Sequence, residues 1–99
     1  MRAFLFAAAA LAAVPVFAQD NQGRNLAASC AICHGTEGRP AAAASPLIPL
    51  AGLPSDHIAT QMRAFRDGKH PATVMHQIAK GYNDAQIDAI AAWFAAQKR

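Results

Sequence analysis

Only two cysteines occur in the 99 residues, so a scaffold stitched by several disulfides is excluded. Charged residues make up 15% of the chain and the formal net charge is +3, with no concentrated basic stripe. No nucleic-acid surface is therefore expected. No stretch alternates apolar and polar residues over the length of a strand, and no segment repeats, which argues against a sheet domain or a solenoid. Past residue 18 no apolar run approaches the roughly 20 residues that a membrane-spanning helix needs.

The start of the chain is organised differently. Met1-Arg2 forms a short positive segment, Phe4 to Val14 is almost wholly apolar, and Val16-Phe17-Ala18 precedes Gln19 like a small-residue cleavage site. Residues 1–18 read as a cleaved secretory signal and residues 19–99 as one domain. The alternative, an uncleaved anchor, requires a longer apolar run than this one. The mature product is expected to be exported to the periplasm, with no stable membrane insertion. Losing Arg2 with the leader leaves eight basic against six acidic residues. A domain this small has a marginal core and needs a staple such as a disulfide, a metal or a cofactor.

The two cysteines stand in Cys30-Ala31-Ile32-Cys33-His34, a C-x-x-C-H sequence of the kind that attaches a c-type haem. On a helix the thiols lie one turn apart, where both reach the vinyl groups of one porphyrin. His34, directly behind them, falls where a ring nitrogen binds the iron. Covalent attachment also removes two thiols that an oxidising compartment would otherwise pair. A thiol–disulfide enzyme shares C-x-x-C but needs a preceding strand and a βαβ setting, which this chain lacks. A zinc site from Cys30, Cys33, His70 and His76 would separate its two ligand pairs far more than common fingers do.

Helices joined by turn-rich loops account for the rest. The first is expected from Asp20 to about Cys33, capped by Asp20 or Asn21, with Leu26, Ala27 and Cys30 on one face. Gly35 through Leu53 is a long irregular stretch suited to wrapping a haem edge. Pro54-Ser55-Asp56 opens a second helix with Ser55 as N-cap and an Ile58/Met62/Phe65 stripe, stopped by Gly68 and Pro71. A short helical turn follows from Val74 to Lys80, closed by Gly81 in the left-handed conformation. Asn83-Asp84-Ala85-Gln86 forms a capping box for a last helix that buries Ile87, Ile90, Ala91 and Phe94.

A sixth iron ligand has five candidates: Met62, Met75, His57, His70 and His76. Met62 lies within an apolar stripe and reads as core, and His57 falls in an exposed first turn. Met75 lies just past Pro71, between two helices, where the backbone can aim one side chain at the iron. Met75 is therefore the distal candidate, with His70 and His76 as alternatives and an open site if none binds. His–Met ligation raises the reduction potential and suits electron transfer. Arg63, Arg66, Lys69 and Lys80 flank this segment, either as a docking face for an acidic partner or simply as a solvated helix face, and the apolar Ala41–Leu53 stretch is a second candidate face.

Cys30 through Gly35, Ile48-Pro49-Leu50-Ala51-Gly52-Leu53 and Phe65-Arg66-Asp67-Gly68-Lys69 together resemble a small bacterial class I cytochrome c. Thr73-Val74-Met75 and Ile78-Ala79-Lys80-Gly81-Tyr82 are similar to the cytochrome subunit of flavocytochrome c sulfide dehydrogenase in its single-haem form. The resemblance implies an all-α fold of about four helices round one covalently attached haem c. It implies Cys30 and Cys33 as thioether residues, His34 as proximal ligand and Met75 as distal ligand. It implies that the backbone carbonyl of a loop proline, Pro46 or Pro49, orients His34. It also implies a first helix crossing the last, with Gly23 and Leu26 against Ile90 and Trp93. The partner it implies is a flavoprotein subunit that oxidises sulfide; the alternative is a free carrier shuttling electrons between other respiratory redox proteins.

Overall fold

The computed structural model describes residues 21–41 and 47–99. The leader at residues 1–18, the cap candidate Asp20, most of the Ala41–Ala44 run and Pro46 lie outside the described residues. The described part is all-α: α1 (Gln22–His34), α2 (Ser55–Arg66), α3 (Met75–Ala79) and α4 (Asp84–Ala95), with one 3-10 turn at Thr36–Gly38.

Helix α4 is the centre. Its capping box closes as the sequence predicts: the Gln86 amide donates to Asn83 Oδ1 at 2.9 Å and the Asn83 amide donates to Gln86 Oε1 at 2.9 Å. Two otherwise orphaned amides are thereby satisfied. Ile87 and Phe94 are fully buried and Ile90 and Ala91 are 1% exposed, which confirms the expected stripe. Burial of each large side chain contributes about 1.5–3 kcal/mol of gross hydrophobic stabilisation.

Helices α1 and α2 both pack on α4, and α3 packs on α2. Helix α1 contributes buried Ala27, with Leu26 and Cys30 partly buried against the core, while α2 contributes Ile58, Ala59 and Met62. The α1–α4 crossing is close because Gly23 has no side chain. A Cβ there would lie 2.7 Å from the Ala89 carbonyl oxygen and 3.1 Å from Trp93 Cβ. The expected Gly23–Trp93 approach is thus present.

Two end caps differ from expectation. Pro54, not Ser55, occupies the N-cap of α2, and its carbonyl accepts the Ile58 amide at 3.1 Å. With the ladder starting one residue earlier, Ser55 becomes the first helical residue and caps nothing. At the end of α3, Gly81 does not take a positive φ. The Gly81 and Tyr82 amides instead donate to the carbonyls of Ile78 and Ala79, closing the helix with tight i to i+3 bonds that need no left-handed residue.

Candidate haem-binding site

The last turn of α1 carries Cys30, Cys33 and His34, and Gly35 ends the helix with its amide bonded to the Ala31 carbonyl. Both cysteines are free, Cys30 half-buried and Cys33 exposed. Burial pushes the Cys30 thiol up from its ordinary value. A nucleophilic redox thiol requires the opposite shift, so Cys30 lacks the lowered value that thiol–disulfide exchange uses.

His34 is held from one side. Its Nδ1 lies 2.8 Å from the carbonyl oxygen of Ile48. A carbonyl only accepts, so Nδ1 carries the proton and Nε2 presents its lone pair. That is the tautomer a metal-binding imidazole needs, and the bond fixes the ring orientation. The acceptor departs from expectation: it belongs to Ile48, the residue before Pro49, rather than to a proline. The ring of Pro49 confines Ile48 to extended backbone, which sets the direction of that carbonyl.

The loop bearing Ile48 is braced onto the core. The Leu50 and Ala51 amides both donate to the Gly38 carbonyl, at 2.9 and 3.2 Å, and the Gly52 amide donates to the Phe94 carbonyl at 2.9 Å. Gly38 has φ +80°, and a Cβ there would stand 2.8 Å from Phe94 Cδ1. A side chain at 38 would push the loop off α4.

Met75 opens α3, half-buried and packed against the core. Met62 is 6% exposed and is core, as its spacing predicts. His57 is exposed in the first turn of α2. His70 stacks flat on Phe65, with ring centroids 4.5 Å apart and planes 6° from parallel. His76 is half-buried, and its Nδ1 is buried without a hydrogen-bond partner among the described residues. Among the described residues no three His, Cys, Asp or Glu side chains gather as a metal cage, so the zinc constellation lacks its geometry.

The residues fit a haem. The thiols and Nε2 lie on one helix turn, the His76 atom lacks a polypeptide partner, and Ile48, Val74 and Ile78 are large apolar side chains left 66%, 53% and 37% exposed. An orphaned buried polar atom costs about 1–3 kcal/mol unless a water or a bound group partners it.

Charge around α3 is arranged differently from the docking face read in the sequence. Arg63 bonds Asp84 at 3.2 Å and Asp88 at 2.6 Å, and Arg66 bonds Asp84 at 2.8 Å and Asp67 at 3.3 Å. The guanidinium of Arg66, then that of Arg63, holds the Asp84 carboxyl below its ordinary value. These arginines clamp α2 to α4 and are not spare charges, whereas Lys69 and Lys80 remain exposed. Sequence reasoning also missed a bond between Ser29 and Tyr82, residues 53 positions apart with no local signal to join them.

Four helices, a C-x-x-C-H sequence closing the first and a pre-set imidazole define a small haem-binding electron-transfer domain. Residues 21–98 match the Cytochrome c family, and the chain belongs to it. It is 38% identical over 76 residues to the cytochrome subunit of sulfide dehydrogenase of Chlorobaculum tepidum, covering 76% of this chain and 66% of that protein. It is 42% identical over 72 residues to the thiosulfate dehydrogenase electron acceptor of Thiomonas intermedia, covering 73% of this chain and 33% of that protein. It is 32% identical over 80 residues to cytochrome c-554(548) of Halomonas halodenitrificans, covering 77% of this chain and 93% of that protein. The chain therefore spans just under two thirds of the first of these relatives and one third of the second. The family's cofactor is covalently bound haem c, Cys30 and Cys33 fit its attachment, and the single C-x-x-C-H makes this a mono-haem electron carrier. No helix among the described residues is long and apolar enough to cross a membrane.

Proposed function

We propose that this chain is an exported cytochrome that accepts single electrons from a flavoprotein sulfide dehydrogenase. Residues 1–18 act as the cleaved signal and residues 19–99 as the carrier domain. Cys30 and Cys33 hold the porphyrin through thioethers, His34 Nε2 is the proximal ligand and Met75 the distal one. The observation that carries the site is the His34–Ile48 bond, which leaves Nε2 ready to bind iron. Bound haem supplies a reversible one-electron ferric–ferrous couple. The chain's own residues hold the ring nitrogen in register, cover the porphyrin with Ile48, Val74 and Ile78, and keep water from it. Sulfide chemistry then belongs to the partner's flavin.

Support for the partner is the likeness to the Chlorobaculum tepidum cytochrome subunit, together with the Ile78-Ala79-Lys80-Gly81-Tyr82 stretch. A second reading, a free carrier serving another dehydrogenase, is favoured by the likeness to the Thiomonas intermedia electron acceptor.

The test starts from protein matured in a periplasm with haem-attachment machinery. Its mass is expected to include one haem, and its sharp reduced spectrum is expected not to shift with carbon monoxide. Reduction by sulfide through a flavoprotein, with stable co-purification of the two, supports the first partner. Reduction by a thiosulfate dehydrogenase alone overturns it in favour of the second. A haem-free product from cells that mature a control cytochrome overturns the site itself.

A further inference from the structure

Helix α3 leans on α2, while the attachment residues lie on α1. The elements that bear Met75 and His34 share one core, but each reaches it mainly through another helix, α2 for α3 and α4 for α1. A hydrogen bond links α1 to the connection that follows α3: Ser29 Oγ lies 2.8 Å from the hydroxyl of Tyr82, three residues past the end of α3. Ser29 Oγ also lies 3.2 Å from the Leu26 carbonyl, which can only accept. Either hydroxyl can donate in the bond between Ser29 and Tyr82, and both are needed for it.

Both ends of this bond are well fixed. Ser29 precedes Cys30 on α1. Tyr82 has its ring against the core, its amide on the Ala79 carbonyl, and Asn83 of the α4 capping box directly behind it. Ala79, the last residue of α3, is fully buried. The Tyr82–Ser29 bond and the Tyr82 amide bond to Ala79 thus form a chain from α1 to the end of the Met75 helix.

We propose that Tyr82 is a positioning residue for the distal ligand: its hydroxyl ties the connection after the Met75 helix to the attachment helix and sets how readily Met75 is displaced from iron. The inference rests on Met75 being that ligand.

The experiment is a titration of the ferric holoprotein with imidazole, which competes for the distal position, followed by its absorbance change. Tyr82→Phe removes only the hydroxyl, and Ser29→Ala removes its partner. Each is expected to tighten imidazole binding roughly three- to tenfold, the range set by the net worth of one hydrogen bond. The double variant is expected to match the single ones, because both remove the same bond. Ser29→Thr, which keeps a hydroxyl, is expected to restore the wild-type affinity.

A Tyr82→Phe protein that binds imidazole like the wild type overturns the proposal, as do effects that multiply in the double variant. Gly23→Ala serves as a control for general loosening, since it strains the α1–α4 crossing away from this bond. An equal gain of affinity there also overturns the positioning role. Met75→Ala separates the two levels. If it loses the methionine-to-iron charge-transfer band and binds imidazole far more tightly, the ligand assignment stands and Tyr82→Phe alone decides. If it behaves as wild type, the ligand assignment fails and the proposal with it.

Discussion

The imidazole of His34 is locked by the peptide carbonyl of Ile48, 14 residues further along the chain, at 2.8 Å. The bond sets the tautomer and the ring plane at once. Its acceptor is backbone, so mutation reaches it only through the conformation of the loop.

Pro49→Ala frees Ile48 from its restriction to extended backbone and weakens that bond. Stability of the holoprotein is expected to fall by about 1 kcal/mol, from denaturant titration. Less electron density then reaches the iron from His34, so the reduction potential is expected to rise. An unchanged or lower potential by redox titration would show that the Ile48 carbonyl does not tune the ring.

Gly23→Ala places a methyl group 2.7 Å from the Ala89 carbonyl oxygen, a contact the backbone must relieve by moving. Overpacking of this kind costs about 1–3 kcal/mol. Thermal unfolding of the holoprotein is the check, and a neutral result would mean that α1 and α4 cross with more slack than the structure has.

Asn83→Ala removes one half of the α4 capping box, and about 1 kcal/mol of stability is expected to go with it. Asn83→Ser restores an acceptor for the Gln86 amide and is expected to recover most of the loss. Urea denaturation of the two variants side by side separates the cap from a general effect of substitution.

Acid should release the α2–α4 clamp. Asp84 is held below its ordinary value by Arg66 and Arg63. Its folded form therefore binds a proton less readily than its unfolded form. The stabilisation is complete above the unfolded carboxylate value of about 3.9 and is lost as pH falls through the lower folded value. Asp84→Asn is expected to flatten this acid limb of the stability curve while leaving the visible spectrum at neutral pH unchanged. A curve that keeps the wild-type slope below pH 4 would place the acid sensitivity elsewhere.

Features carried by neighbouring residues are legible in the sequence. The stripe of α4 and its capping box read directly, because period and cap chemistry are local. The C-x-x-C-H turn reads for the same reason. Ser55 misleads because serine is a good cap in general, while the ladder here starts from the Pro54 carbonyl. Gly81 misleads because α3 closes with i to i+3 bonds that any residue can make. The ties that complete the site, His34 to Ile48 and Tyr82 to Ser29, leave no trace in spacing. The first depends on where the Ile48 loop returns, which Gly38 and Phe94 decide, and the second on where the turn between α3 and α4 lies against α1. Arg63 and Arg66 read as free charge for a similar reason, since Asp84 and Asp88 come close only once α2 lies on α4.

The position of α4 also bears on the two attachment thiols. Helices α1 and α2 both bury their apolar faces against it. Cys30 rests half-buried against that core while Cys33 stays exposed, so α4 shelters one attachment thiol and leaves the other at the surface. The two thioether positions are therefore unequal: one is set by packing, the other by the end of α1 alone.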